Sequence, residues 1–363
     1  MSCWHPPAVS ALGAASSALK PVSGTASKPV AGNSDNPGPD QAETGTFAAD
    51  PNANDGTVTN SGPWGKVARI DISTTLVRPV RGSKAVRQIV VVYPPGYNDP
   101  QARPIRYPVL YLLHGSPGSP SNFVNYGHWP DRMAELVQSG RSQAAIMVIP
   151  DGNYAGEHHG DSEWANSFDR RDLFEDYVAK DLVRWVDANL RSIPDAAHRI
   201  IGGVSEGGYG AVNIALRNPN VFGSAISFSG YFRNDGSGWA RPVMGGDPKF
   251  LQENSPLDYI DSGLGTGRDR SAWRGIRFYL GAGADEKRYV EETKAMAGRL
   301  KDAGLPVVLQ VSKGKHGWGL WDQLFDTLVP SALPPIHDPI ADTRPTDAAS
   351  AAAASRANGS TVR

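Results

Sequence analysis

Cysteine is almost absent: Cys3 is the single one in 363 residues. That excludes an intrachain disulfide framework and a cysteine-built zinc site. An excess of charge of either sign is missing as well. The chain carries 36 Lys plus Arg against 37 Asp plus Glu, a formal net charge of -1, so no global field draws it to nucleic acid or to an anionic membrane. No segment approaches the roughly 20 apolar residues of a membrane-spanning helix. The first residues carry no basic run, and the mildly apolar stretch 8–19 is broken by small residues, so it matches a signal peptide poorly. Export would need an atypical or upstream signal.

Large apolar side chains are scarce at both ends. Residues 1–64 are rich in Ala, Pro, Gly, Ser, Asn and Thr and cannot offset the entropy of ordering, which reads as a disordered arm or linker. Residues 331–363, with Pro334-Pro335 and an alanine run at 348–354, read as a disordered tail. Between them, residues 65–330 hold the one stretch able to bury a sizeable core; 40% of the whole chain is hydrophobic. In this stretch short β-branched runs alternate with helical patterns, the signature of βαβ units and a mostly parallel sheet with helices on both faces, in one α/β domain. Strands are expected at 67–72, 87–93, 109–113, 145–149, 200–204, 225–228, 277–280 and 307–311; several are continuously apolar, as strands covered on both faces should be. Leu173, Tyr177, Val178, Leu182, Trp185, Val186 and Leu190 recur at three- and four-residue spacing, which predicts a helix packed on the sheet. No repeat of fixed period is present.

What is there is a Gly-x-Ser-x-Gly pattern, Gly203-Val204-Ser205-Glu206-Gly207, between an expected strand and an expected helix. In such an elbow the serine sits at a strained turn that lifts its hydroxyl clear of the sheet, and the flanking glycines avoid side-chain clashes there. A serine hydroxyl is a weak nucleophile at neutral pH, so the pattern requires a base and an orienting acid further along the chain. Two histidines follow Ser205. His337 lies in the Pro-rich tail, so His316, in the loop after the 307–311 strand, is the base by elimination. For the acid, Asp285 follows the 277–280 strand at the same sheet edge; Glu286 is adjacent and stays open, and Asp258 reads better as turn or cap chemistry. Backbone N–H groups for a developing oxyanion are expected at Glu206 and at Ser116, since Pro117 has none. His114, just before Gly115, reads as a loop-fixing residue. His158, His159 and Asp161 lack metal-ligand spacing and read as a solvated loop, so no metal or cofactor is expected.

The chain resembles the putative-esterase family of α/β-hydrolases, which includes esterase D, feruloyl and acetylxylan esterases, enterochelin esterases and mycolyltransferases. The resemblance covers most of residues 85–330. It rests on Tyr93-Pro94-Pro95-Gly96-Tyr97, Leu112-Leu113-His114-Gly115, Pro150-Asp151-Gly152, Gly203 through Gly210 with Ala211, Asn218-Pro219, Phe222-Gly223, Ser229-Gly230 and Gly314 through Trp318. It implies an α/β-hydrolase fold with Ser205 as nucleophile, Asp285 as acid, His316 as base, and Ser116 and Glu206 as oxyanion donors. Some members use glutamate as the acid, which keeps Glu286 in view.

The expected activity is a serine esterase acting through an acyl-enzyme on a small-molecule, carbohydrate or lipid ester. Transfer of the acyl group to an alcohol, as in a mycolyltransferase, and a noncatalytic binding protein that retains the fold are the alternatives. Loops at 119–129, 151–168 and 231–239 would set substrate choice, with Trp164, Trp239, Trp318 and Trp321 as candidate stacking surfaces, although core packing explains such residues as often. The linker-like flank leans toward a secreted or envelope-tethered domain.

Overall fold

The computed structural model describes residues 66–78, 86–153, 162–236, 240–261 and 270–333. Within them the chain forms strands β1 (Val67–Ser73), β2 (Val86–Val92), β3 (Val109–Leu113) and β4 (Ile146–Pro150), with helices α1 (Ser121–Asn125) and α2 (Trp129–Gln138) between the last two. Helices α3 (Phe174–Asp176) and α4 (Val183–Asn189) are joined without a break by a π-helical turn, Tyr177–Leu182. Strand β5 (Arg199–Val204), helix α5 (Glu206–Arg217) and strand β6 (Ser224–Phe228) follow. Three short helices come next: α6 (Arg241–Met244), α7 (Pro248–Glu253) and α8 (Pro256–Tyr259). Strand β7 (Arg277–Gly283), helix α9 (Lys287–Asp302), strand β8 (Val307–Ser312) and helix α10 (Trp318–Ala332) close the series.

The eight strands make one sheet in the order β1-β2-β4-β3-β5-β6-β7-β8. β1, β2 and β4 pair antiparallel, and every pair from β4-β3 through β7-β8 is parallel. The expected strands all form, 109–113 with both ends as expected and the others with ends shifted by no more than three residues. Burial follows position: β3, β4, β5 and β6 are buried along their whole length, and edge strand β1 mixes buried and exposed residues. Central parallel strands need apolar side chains on both faces, which is why they read as continuous runs.

Two apolar clusters sandwich the sheet. One takes Tyr177, Leu182 and Val186 from the helix at 174–189 with Val212, Met296 and Leu300 from α5 and α9. The other takes Trp129 and Met133 of α2 with Leu324, Phe325 and Leu328 of α10. The predicted apolar stripe therefore does pack on the sheet, and Tyr177 is wholly buried in it while Trp185 packs partly against it. Because β3 and β5 to β8 run parallel, the loops after them emerge at one edge, where open α/β sheets carry their sites. Among the described residues no helix is long and apolar enough to cross a membrane.

Candidate active site

Backbone sterics build the turn after β5. Ser205 lies between β5 and α5 with φ 56 and ψ −118, a left-handed conformation that costs a non-glycine residue about 1–3 kcal/mol. Its N–H donates to the Phe228 carbonyl at 2.8 Å, tying the turn to the end of β6. A Cβ on Gly203 would collide with the Gly207 carbonyl, and one on Gly207 with the Leu113 carbonyl of β3. The glycines of the pattern are thus required by close approach of backbone to backbone.

His316 follows β8. The Ser205 hydroxyl donates to its Nε2 across 2.9 Å, and its Nδ1–H donates to Glu286 Oε1 at 2.6 Å. A carboxylate can only accept, so this contact assigns a proton to Nδ1, and the neutral ring then presents Nε2 as the acceptor for the hydroxyl. The ring stacks on Tyr289, centroids 4.2 Å apart, and meets the edge of Trp321 at 5.0 Å. The His316 side chain is 31% exposed, whereas that of Glu286 is 1% exposed. A carboxylate so buried needs donors, and Glu286 Oε2 accepts from Ser229 Oγ at 2.8 Å and from the Gly283 N–H.

The residue beside the imidazole is Glu286, and the expectation for Asp285 is corrected accordingly. Asp285 is exposed, and its N–H donates to the Gly314 carbonyl at 3.3 Å. The reason is local: the Glu286 N–H closes a turn onto the Gly283 carbonyl at 3.1 Å, which carries residue 285 over the outside and swings 286 back toward β8. Asp258, set aside as turn chemistry, pairs with Arg233 at 2.7 Å.

The expected oxyanion donors flank the serine. Glu206 is buried and opens α5, at the end where helix geometry leaves N–H groups unused by the helix. Ser116 is exposed and follows Gly115, where an added Cβ would lie 3.0 Å from Ser205 Cβ. That loop is held by His114: its Nδ1–H donates to the Gly115 carbonyl at 3.0 Å and its Nε2 accepts the Gly152 N–H at 3.0 Å. Trp164 Nε1–H donates to the His114 carbonyl at 2.9 Å.

Of the candidate stacking residues, Trp164 is fully buried and Trp321 nearly so, both as packing groups; Trp318 is partly buried, with the exposed Tyr126 beside it at 6.5 Å. Trp239, His158, His159, Asp161 and His337 lie outside the described residues. Among the described residues no group of three or more His, Cys, Asp or Glu is placed to hold a metal ion. Two residues at the site were given no role there by the sequence, Tyr289 and Ser229, the latter noted only within the Ser229-Gly230 pair. For Ser229 a signal was present, a Ser-Gly pair directly after a strand at the same sheet edge.

Arranged this way, the hydroxyl, imidazole and carboxylate form one chain of hydrogen bonds at the carboxyl edge of a parallel sheet. Such a chain suits removal of a proton from the hydroxyl.

Comparison with known proteins gives a consistent result. A family model described as "Putative esterase" matches residues 84–331. An esterase of Mycobacterium tuberculosis is 29% identical over 242 residues, covering 58% of this chain and 48% of the relative. An uncharacterized protein of Corynebacterium glutamicum is 25% identical over 261 residues, covering 71% of this chain and 59% of the relative. The chain thus spans about half the length of these relatives. Among solved structures, a ferulic acid esterase superposes with TM-score 0.62 at 23% identity, covering 74% of this chain and 97% of that one. An S-formylglutathione hydrolase from Agrobacterium tumefaciens superposes with TM-score 0.60 at 16% identity, covering 75% and 96%. At these identities the structural likeness establishes the fold, that of the α/β-hydrolases.

Proposed function

The chain belongs to the putative-esterase family, and from that premise we propose that it is a serine esterase that cleaves a carboxylic ester through an acyl-enzyme on Ser205. The observation that carries this reading is the unbroken chain from Ser205 Oγ through His316 to the buried Glu286.

In the proposed reaction His316 Nε2 takes the Ser205 proton as Oγ bonds to the ester carbonyl carbon. The carbonyl electron pair moves onto oxygen, facing the backbone N–H groups of Ser116 and Glu206. When the intermediate collapses, the ester C–O bond breaks and the alcohol leaves with the proton from His316. Water, deprotonated by the same imidazole, then releases the acid and restores Ser205. Glu286 holds the productive tautomer and stabilises the imidazolium. The catalytic domain in this reading is expected from residue 65 and extends past the expected boundary at 330, because α10 runs to Ala332 and Leu333 is buried in the second apolar cluster.

The test is turnover of p-nitrophenyl acetate and butyrate by the purified protein beside Ser205→Ala and His316→Ala. Loss of about 10⁴-fold or more in kcat in each variant supports the reading. Wild-type turnover in Ser205→Ala overturns it.

A further inference from the structure

We propose that Ser229 is a positioning residue of this site, its hydroxyl holding Glu286 so that the opposite carboxylate oxygen is aimed at His316. The inference rests on the reading of Ser205, His316 and Glu286 as a catalytic unit.

Ser229 is fully buried and follows β6 directly, with φ 56. A non-glycine residue is held in the left-handed region only where its surroundings over-determine it, and here both its backbone and its side chain are engaged. The N–H donates to the Gly281 carbonyl of β7 at 2.7 Å, and Oγ–H donates to Glu286 Oε2 at 2.8 Å. One residue earlier, the Phe228 carbonyl accepts the Ser205 N–H at 2.8 Å. One residue later, the Gly230 N–H donates to Ser227 Oγ at 3.2 Å, and a Cβ on Gly208 of α5 would lie 3.1 Å from Gly230 Cα. Residues 228–230 therefore brace the nucleophile turn on one side and the acid on the other.

The carboxylate shows why the hydroxyl matters. Oε1 faces His316 Nδ1 at 2.6 Å, and Oε2 is held by Ser229 and by the Gly283 N–H. Rotation about the last side-chain torsion of a glutamate is soft, so two donors on one oxygen fix the plane in which the other points. With the hydroxyl removed, the Gly283 amide alone restrains that plane, and Oε1 drifts from the line to Nδ1. The cost falls on the step in which the imidazolium forms.

The experiment compares Ser229→Ala, Ser229→Gly, Glu286→Gln and the double variant Ser229→Ala/Glu286→Gln, read by kcat and KM for p-nitrophenyl butyrate and by melting temperature. The glycine variant removes the hydroxyl while relieving the backbone strain, so it separates the two contributions. The account expects kcat to fall about tenfold in both Ser229 variants, with KM within about twofold. It also expects Ser229→Ala to add nothing in the Glu286→Gln background, because a group acting through the carboxylate is silent once that carboxylate is gone. Undiminished kcat in both variants, or a further tenfold loss in the Glu286→Gln background, overturns the proposal. Wild-type turnover in Ser205→Ala or Glu286→Gln would instead remove the catalytic reading beneath it.

Discussion

The two halves of the site are built by different means. The nucleophile half is backbone: Ser205 sits between two glycines packed against neighbouring carbonyls, at the head of a helix buried from Glu206 to Leu216. The base half is side chain. His316 stands in a loop with a 31% exposed side chain, and its aim depends on one carboxylate, two rings and the donors behind that carboxylate. Steric exclusion fixes the first half whatever the solvent does, whereas the second is fixed by polar contacts that one substitution can release without unfolding the sheet. In the proposed reaction the difference separates a nucleophile set by backbone packing from a base set by side-chain contacts.

That comparison can be broken most forcefully at the backbone. Gly207→Ala drives a methyl into the Leu113 carbonyl of β3. Overpacking against backbone that cannot yield costs about 1–3 kcal/mol or more. The expected result is no measurable turnover and a melting temperature lowered by several degrees, read by esterase assay and thermal unfolding. Next in size is the acid. Glu286→Gln keeps the shape but presents an amide to Nδ1, and kcat is expected to fall about 10⁴-fold with the fold intact. Asp285→Asn, one residue away and exposed, is expected to stay within about twofold. Parallel kinetics on the two variants distinguish the neighbouring carboxylates directly.

The smallest effect concerns the helix that follows the base. Asp322 of α10 accepts Trp129 Nε1–H at 2.9 Å and pairs with Arg132 at 3.2 Å. Burial raises its carboxyl above the ordinary value and outweighs the Trp129 hydrogen bond and the Arg132 charge that lower it. A raised folded value means that its contribution to stability is complete below about pH 4, where the unfolded chain is protonated too, and declines as pH rises through the folded value. Asp322→Asn keeps the acceptor for Trp129 and removes the titration. The expected outcome is a smaller change in melting temperature between about pH 4 and pH 6 in the variant than in the parent. Asp326 is raised by burial in the same region, so the difference between the two proteins is the quantity to read. An equal pH response in both would contradict this assignment.

How much of this was legible in the sequence follows the same division. The strand positions of a mostly parallel sheet and the elbow were readable because apolar patterning and glycine spacing are local signals, whereas the strand order was not read. That His316 would be the histidine brought to Ser205 was readable because His337 was its one competitor after Ser205 and lay in a Pro-rich tail. Which carboxylate faces His316 was not, because Asp285 and Glu286 have equivalent chemistry. A single turn hydrogen bond, Glu286 N–H to the Gly283 carbonyl, decides which of them faces inward. Ser229 was hidden for a related reason: its partner lies 57 residues away, and only the pairing of β6 with β7 brings them together. For the aromatic residues the sequence left stacking and core packing open. Trp164 takes the second: its ring fills the space beside Gly152 and Gly210 and its N–H secures the His114 carbonyl.

The most direct test of the central claim is to treat the protein with a fluorophosphonate, digest it and map the adduct by mass spectrometry, with Ser205→Ala alongside. The account predicts one stoichiometric adduct on the peptide carrying Ser205 and none in the variant, lost together with turnover. An adduct on a different residue, or undiminished turnover in the variant, would contradict it.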